Sequence, residues 1–259
     1  MSNLIDFSDR RLHFATGTVN GICEANATNF PALKSFFKFK EKSGNTITDA
    51  IGGGFHTDAT NIVYSSTYDT MATNIAAGTV MTSGAIPNPG LKHILIVAAG
   101  LVSASATGTV AAQTVASIGA GSVTANAGGY LFANNTGGTS ICSVADGSTT
   151  VSTTALSALS QDVKYGFSAA YERGQIIQSR RFPSLTGAIV AQTSAGTVQA
   201  TDVTGIASFN GIRFSGIWFG FAIFHFSTLP RNWEAGAAWM SQQWINGNKY
   251  IYPGFKGLT

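Results

Sequence analysis

The sequence predicts an all-β fold, an antiparallel β-sandwich that ends in one short C-terminal helix. First, residues 212–226 hold nine large apolar side chains, spread over odd and even positions. Second, residues 163–171 alternate in polarity, turn at 172–174 and return at 175–182, as a hairpin does. Third, short β-branched segments bounded by glycines recur, which is typical of strands joined by turns. Because no polar linker divides the chain, we expect one domain over residues 1–259, with extended terminal segments.

The segment at 212–226 has the pattern of a central strand. A strand that is apolar at both parities must be covered on both faces, so it lies between two layers. Side chains alternate between faces along a strand. This rule assigns Ile212, Phe214, Trp218, Phe224 and Phe226 to one face, and Ile217, Phe219, Phe221 and Ile223 to the other.

The other strands follow from shorter patterns. We predict them at residues 4–14, 35–42, 61–68, 92–102, 129–133, 141–145, 149–154, 187–192, 197–201 and 206–210. Further short strands are expected between 103 and 129, where Thr-Val pairs recur between glycines. Asp146–Gly147 is a favourable hairpin turn between two of these strands.

Lysines and phenylalanines alternate in the predicted strand at 35–42, and its basic residues are Lys34, Lys38, Lys40 and Lys42. This alternation is typical of an edge strand whose lysines face solvent. Aromatic rings among lysines can also stack on nucleic-acid bases. The formal net charge of +3 is too small to favour a nucleic-acid partner, so we interpret the run as an edge strand.

One amphipathic helix is predicted after Leu229–Pro230. Its apolar stripe is formed by Trp233, Ala237, Met240 and Trp244, at positions i, i+4, i+7 and i+11. Pro230 suits a first helical turn, Glu234 complements the N-terminal dipole, and Gly247 suits the position after the C-cap. Residues 249–255 are expected to leave the helix as an extended tail.

The composition is poor in charge. Only 10% of residues are charged, against about 25% in an average soluble domain, and Asp146 is the only formal charge from His93 to Gln161. A surface with so little charge gives a free monomer poor solubility. We therefore interpret this segment as surface that packs against other protein chains. A bland, loop-rich face is the alternative. Apolar runs are too short to predict membrane insertion, and no signal peptide is recognisable.

No catalytic, cofactor-binding or metal-binding residue is predicted. The closest polar cluster is His56, Asp58, Asn61 and Asp69. The oxygens of its Asp and Asn side chains could hold calcium, although a hydrogen-bonded loop explains the cluster better. Gly52–Gly53–Gly54 lacks the Lys-Ser/Thr of a phosphate loop and is interpreted as a bulge or tight turn. His225 fits a hydrogen-bonded core histidine better than a ligand. Cys23 and Cys142 could pair or stay free.

Aromatic residues near the C-terminus are the other candidates. Trp233, Trp244, Tyr250 and Tyr252 could form a platform for a sugar ring. The two tryptophans are better explained as the buried stripe of the helix. For Tyr250 and Tyr252, packing against a neighbouring subunit and ligand binding remain equally open, so no ligand-binding residue is assigned.

Two stretches resemble the concanavalin A-like (laminin-G-like) lectin jelly rolls. They are VKYGFSAAYERG at 163–174 and GIWFGFAIFHFSTLP at 216–230, the second followed by a short helix. Many bacteriophage fibre, baseplate and capsid-surface proteins are similar to this family and share the charge-poor Gly/Ala/Ser/Thr-rich composition. The family's calcium-binding Asp/Asn motif and hydrolase carboxylates are not recognisable here. The resemblance therefore implies a jelly-roll sandwich without metal-dependent binding or hydrolysis.

These features lead to a hypothesis and two alternatives. The resemblance implies a non-enzymatic structural protein of a bacteriophage virion, as a tail fibre, baseplate or capsid-surface decoration component. Its partners would be other virion proteins and further copies of itself, with cell-surface carbohydrate as an additional ligand. The first alternative is a free-standing carbohydrate-binding lectin module. The second is a glycosidase on the same fold, which needs two carboxylates about 5–10 Å apart.

Overall fold

The structure is a computed structural model of the chain. It describes residues 28–43, 46–51, 55–57, 62–73, 82–83, 93–102, 112–119, 129–135, 139–145, 150–152, 162–172, 175–183, 189–197 and 216–259. The strands are β1 (Leu33–Phe37), β2 (Thr46–Thr48), β3 (Phe55–Thr57), β4 (Ile62–Ser65), β5 (Thr70–Thr73), β6 (Thr82–Ser83), β7 (His93–Val102), β8 (Ala112–Gly119), β9 (Gly129–Asn135), β10 (Thr139–Ala145), β11 (Thr150–Ser152), β12 (Lys164–Glu172), β13 (Ile176–Pro183), β14 (Val190–Thr197) and β15 (Gly216–Phe226). The described helices are α1 (Trp233–Ile245) and a single 3₁₀ turn (Pro253–Phe255).

The largest sheet has eight strands. Seven follow the order β14-β13-β12-β7-β15-β5-β4, and β1 is the eighth because it also pairs with β15. One edge of β15 pairs with β7 along its length. The opposite edge pairs with β5 at Gly216 and Ile217, and with β1 from Phe221 to Phe224. Two short strands thus lie end to end along that edge, with a gap between them at 218–220.

Two smaller sheets complete the described β-structure. One has the order β11-β10-β9-β8 and the other the order β2-β3-β6. Strands β10 and β11 of the first contact β13 and β14 of the large sheet. All strand pairs are antiparallel. The predicted class, an all-β sandwich with a short C-terminal helix, is confirmed.

Several predicted strands are confirmed and others differ in extent. The hairpin of β12 and β13 and the pair of β10 and β11 form as expected. The strand predicted at 187–192 is found as β14, which extends to Thr197. Of the strand predicted at 197–201, all residues after Thr197 lie outside the described residues. The strand predicted at 35–42 ends at Phe37. The strands predicted at 4–14 and 206–210 lie outside the described residues.

Strand β15 is central, and all eleven of its residues are buried. The predicted coverage of both faces is therefore confirmed. The register with β7 shifts between Trp218 and Gly220, so that Phe219 forms a β-bulge. A bulge inserts one unpaired residue and reverses the parity of every side chain beyond it.

The division of β15 into two faces was therefore predicted wrongly. Ile217 and Phe219 belong to the same hydrophobic cluster as Phe224 and Phe226, under the helix. The opposite face carries Trp218 and Phe221. Counting every second residue assigns side chains to faces correctly only if the strand is regular. The bulge at Phe219 makes β15 irregular, so this counting fails beyond it.

A row of phenylalanines covers the second face of β15. Phe37 stacks on Phe221 with a centroid distance of 5.9 Å, and Phe39 stacks on Trp218 at 6.0 Å. Phe39 has a φ of 55°, a left-handed conformation that bulky residues rarely adopt. Its ring is fully buried, so packing holds the strained backbone. The turn leaves the next lysines, Lys40 and Lys42, exposed.

Helix α1 packs directly on the backbone of β12 and β15. A Cβ atom at Gly220 would lie 2.5 Å from Cδ2 of Trp244, and a Cβ atom at Gly166 would collide with the side chain of Ser241. Both strands therefore have glycine where the helix crosses them. The predicted stripe is confirmed, because its four residues, Trp233, Ala237, Met240 and Trp244, are all buried.

The ends of α1 differ in how well they were predicted. Gly247 has a φ of 89°, and its N–H donates to the Trp244 carbonyl while the Asn248 N–H donates to the Gln243 carbonyl. These two bonds form a Schellman motif, as glycine at this position indicated. Pro230 was expected in the first turn, but the helix begins three residues later, with Asn232 as its N-cap.

The chain after the helix returns to the start of β1. The Ala32 N–H donates to the Leu258 carbonyl at 3.1 Å, and the Gly257 N–H donates to the Asn29 carbonyl at 2.9 Å. The Trp244 indole N–H donates to the Tyr250 carbonyl at 2.8 Å. Residues 248–259 are thus fixed to the helix and to the strand edge of the large sheet.

His225 lies on β15 with 4% of its surface exposed. Its backbone N–H donates to the Ala32 carbonyl at 2.7 Å. Within the described part of the chain its Nδ1 atom has no hydrogen-bond partner. Burial, and next the charge of Lys34, lower the pKa of this imidazole from 6.5 to about 4.

This pKa predicts a stability that depends on pH. Above pH 6.5 the imidazole is neutral in both the folded and the unfolded chain. Below pH 6.5 the unfolded chain binds a proton, whereas the folded chain binds it only near pH 4. The free energy of unfolding should fall by up to about 3 kcal/mol from pH 7 to pH 4 on account of this residue. Urea denaturation at a series of pH values measures it.

The His225→Phe variant is the control for this prediction. It removes the titrating group but keeps a ring in the core, so its stability should depend less steeply on pH between 6.5 and 4. An equally steep decline in the parent and the variant would show that other groups account for the pH dependence.

Candidate functional site

Of the four polar residues that the sequence grouped as possible calcium ligands, only His56 and Asp69 lie within the described residues. His56 lies on β3, while Asp58 and Asn61 lie outside the described residues. In the described ranges no group of three or more His, Cys, Asp or Glu side chains could hold a metal ion. Asp69 is the one member of the group with a described environment, and its neighbours are lysines.

Other candidates from the sequence lie partly outside the described residues. Cys23 lies outside the described residues and Cys142 lies on β10, so both alternatives, paired or free, stay open. Gly52–Gly53–Gly54 also lies outside the described residues. Trp233 and Trp244 are buried in the core, as expected.

Asp69 is at the centre of a basic cluster. We call it the Asp69 cluster, and it contains Lys40, Lys42, Tyr64, Asp69 and Lys249. The Tyr64 hydroxyl donates a short hydrogen bond to Asp69 Oδ1, and Lys42 Nζ lies 3.8 Å from the same oxygen. The Tyr64 hydrogen bond is the largest cause of a lowered Asp69 pKa, with contributions from the three lysines. The same bond raises the pKa of the Tyr64 hydroxyl.

The β4–β5 hairpin positions the two partners of this hydrogen bond. Tyr64 lies on β4, and Asp69 ends the turn that leads into β5. Asp69 has a φ of 48°, a left-handed conformation that Asp tolerates better than most residues. The turn therefore directs the carboxylate back towards the strand that precedes it.

Lys249 joins the cluster from the segment after α1. Its ammonium donates a short hydrogen bond to the Phe219 carbonyl, which lies at the bulge of β15, in the gap between β5 and β1. Burial, and next the charge of Lys40, lower the pKa of Lys249 from 10.5 to about 8, whereas Asp69 acts to raise it. The amine is thus held in a place with too little negative charge around it.

An aromatic pair adjoins the Asp69 cluster. Tyr68 and Phe219 meet edge to face with centroids 6.0 Å apart. The Lys164 ammonium lies 5.4 Å from the Tyr68 ring centroid and 5.3 Å from that of Phe219, a cation–π distance to both. Because Tyr68 precedes Asp69 directly, Lys164 extends the basic surface beyond the cluster.

A second aromatic surface lies on the outer side of α1. Trp239 and Tyr252 are both partly exposed, with ring centroids 5.8 Å apart at 58°. Tyr252 packs edge to face on the buried Phe255 at 5.2 Å. A Cβ atom at Gly236 would lie 2.8 Å from the Tyr252 ring, so the backbone of the helix closely supports the pair. The two rings form a preorganised aromatic surface.

Sequence reasoning found Tyr252 but missed Trp239 and Lys164. A signal for Trp239 was present, because at 3.6 residues per turn it lies roughly 130° from the middle of the buried stripe, on the outer side of the helix. No sequence signal marks Lys164, because its contacts come from strands far away in the chain.

Arg180 is a buried charge with a structural role. Its side chain donates a short hydrogen bond to Glu234 in the first turn of α1, and its guanidinium lies 5.2 Å from the Trp233 ring centroid. The pair fixes the start of the helix on β13. The described part of the chain contains no helix long and apolar enough to cross a membrane.

No protein-family model matches the chain, and no curated protein sequence matches it. Solved structures do resemble it. The botulinum neurotoxin serotype G binding domain is similar over 83% of this chain and 51% of that chain, with a TM-score of 0.50 and 10% sequence identity. This similarity is one of fold.

Two further structures are similar at lower TM-scores. Tailspike protein 2 of an Escherichia coli O157:H7 bacteriophage matches 72% of this chain and 26% of that chain, with 16% identity and a TM-score of 0.48. The CBM40 of Ruminococcus gnavus IT-sialidase, bound to α2,6-sialyllactose, matches 55% of this chain and 80% of that chain, with 15% identity and a TM-score of 0.39. This chain thus spans about a quarter of the tailspike.

The environment of Lys249 predicts how its charge responds to Asp69. The Asp69→Asn variant removes the carboxylate that raises the pKa of Lys249, so this pKa should fall below about 8. Asparagine tolerates the left-handed backbone at this position, so the turn is retained. Titration of the lysine side-chain resonances by NMR measures the change.

Asp162→Asn is the matched control. Asp162 is exposed and also has a left-handed φ, but it is not among the charges that act on Lys249. An equal shift of the Lys249 titration in both variants would contradict the assignment.

Proposed function

We propose that the chain is a non-enzymatic, lectin-like component of a bacteriophage virion that binds carbohydrate. Its sandwich is taken to be a jelly roll of the concanavalin A-like kind. The sequence resemblance at 163–174 and 216–230 supports this; the first stretch contains β12, and the second contains β15 and leads into α1.

The observation behind the binding function is the partly exposed pair of Trp239 and Tyr252. Large aromatic rings of a helix normally face the core, and the other two tryptophans of α1 do so. Trp239 packs against the core cluster with part of its ring, lies beside Tyr252 and stays partly exposed. Aromatic faces that are fixed before the ligand arrives bind with little entropic cost. A sugar ring, with its flat C–H face and polar edge, suits such a surface.

The virion assignment is supported by composition. The segment from His93 to Gln161 carries a single formal charge and is rich in Ala, Ser, Thr, Val and Gly. We propose that other copies of this chain, or other virion proteins, cover it in the assembled particle. A free-standing lectin module is the alternative, and it predicts that the same segment stays exposed in a monomer.

Replacement of Trp239 tests the binding function. We expect Trp239→Ala to weaken glycan binding about tenfold or more, the loss of roughly 1.4 kcal/mol. A glycan array identifies the ligand, and calorimetry with that ligand gives the affinity. Ile189→Ala is the control, because Ile189 is an exposed apolar residue on another element. If the parent binds no glycan above background, or Trp239→Ala binds as the parent does, the assignment is wrong.

Light scattering and electron microscopy test the virion assignment. We expect the purified chain to associate into oligomers, and antibodies against it to label intact phage particles. The protease sensitivity of residues 93–161 should be low in those particles. A monodisperse monomer that labels no particle and is cut within this segment would favour the free-standing module.

A further inference from the structure

We propose that the carbohydrate is acidic and that the Asp69 cluster, together with Lys164, binds its oxyanion. This inference rests on the proposed carbohydrate-binding function and adds the chemical class of the ligand. The oxyanion would be a carboxylate, sulfate or phosphate substituent of the glycan. A sugar ring of the same molecule would pack on Trp239 and Tyr252.

The balance of charge is the first support. Three lysines, Lys40, Lys42 and Lys249, act on one carboxylate, that of Asp69, and Lys164 lies over the ring of the adjoining Tyr68. Half of the chain's eight lysines are therefore in one place, although only 10% of its residues are charged. Glu41, between Lys40 and Lys42 in the chain, adds a second carboxylate, whose Oε1 accepts the Thr48 N–H at 2.8 Å. The four lysines still outnumber the two carboxylates.

The second support is that the fold positions two of these amines. The Lys249 ammonium donates to the Phe219 carbonyl, and the Lys164 ammonium lies over the Tyr68 and Phe219 rings, whereas Lys42 is exposed, 3.8 Å from Asp69. Segments far apart in the chain supply them. Ammonium groups that are already positioned bind an oxyanion through charge-assisted hydrogen bonds and lose less conformational entropy on binding.

The third support is the place of Lys249. Its amine is partly buried, and its pKa is lowered to about 8 because burial, and next the charge of Lys40, outweigh the effect of Asp69. A bound oxyanion would add negative charge beside the amine and would raise this pKa again.

The two surfaces are close enough for one ligand. Lys249 and Tyr252 are three residues apart on the segment after α1, so their Cα atoms are separated by at most about 11 Å. A glycan of a few sugar units spans this distance. Its charged substituent can therefore meet the lysines while a ring contacts the aromatic pair.

Matched polymers test the inference. The full chain is assayed by calorimetry at physiological salt with dextran sulfate, polygalacturonate and neutral dextran. We expect one or both acidic polymers to bind at least about tenfold more tightly than dextran. Lys42→Gln combined with Lys164→Gln should weaken that binding about tenfold. Arg231→Gln combined with Lys256→Gln removes the same charge from exposed positions elsewhere, and should bind as the parent does.

The outcomes separate this inference from the proposed function. Equal binding of dextran and the acidic polymers, unaffected by the cluster variant, overturns the inference and leaves the carbohydrate function. Binding of the acidic polymers that depends on the lysines but is unchanged in Trp239→Ala supports the oxyanion site and overturns the aromatic one. Equal losses in the cluster variant and the control variant overturn the inference as non-specific charge attraction.

Two competitors identify the source of the oxyanion. Displacement of the acidic polymer by sodium sulfate at similar concentrations of anion would overturn the inference in favour of a site for the free ion. Duplex DNA that binds through the same lysines as tightly as the glycan would overturn it in favour of a general polyanion site. Resistance to both competitors supports recognition of the acidic glycan.

Discussion

The direct contact between helix α1 and the backbone of the large sheet is the constraint on which the described structure depends. Gly166 and Gly220 make it possible, since any side chain there would occupy the space of Ser241 or Trp244. The close approach buries the apolar stripe of the helix against β7, β12 and β15. It also places the last turn of the helix, at Trp244, directly on β15, and the segment carrying Lys249 and Tyr252 starts from there. Both candidate surfaces therefore depend on two glycines that neither surface contains.

The bulge at Phe219 is the second determinant of the candidate site. A regular strand would pair all its carbonyls with neighbouring strands, but β5 and β1 leave a gap along this edge of β15. Side chains occupy the gap instead: the Thr70 hydroxyl donates to the Trp218 carbonyl, and the Lys249 ammonium donates to the Phe219 carbonyl. An irregularity of the backbone thus creates the acceptor that positions a lysine.

The sequence was sufficient for the fold class, the best hairpin and the helix, because these follow from local periodicity. The stripe from Trp233 to Trp244 and the alternation of β12 need no knowledge of distant residues. The faces of β15 were predicted wrongly because a bulge leaves no signature in the composition of a strand. The Asp69 cluster was not predictable for a related reason. Lys42 and Asp69 were noted separately, and only the pairing of β15 with β5 and β1 brings them to the same place as Lys249.

The position of β15 in the chain has a consequence for how the protein folds. This strand fills the centre of the sheet, yet it is encoded near the C-terminus, and its Phe224 pairs with Leu33 near the other end. During synthesis β1, β5 and β7 are made before β15 and must wait for this partner. Contacts of such long range slow folding, and unpaired apolar strands are prone to aggregate meanwhile. The lysines beside β1 would then have two roles. They would protect the unpaired edge of β1 from aggregation during folding, and they would contribute to the basic surface of the folded protein.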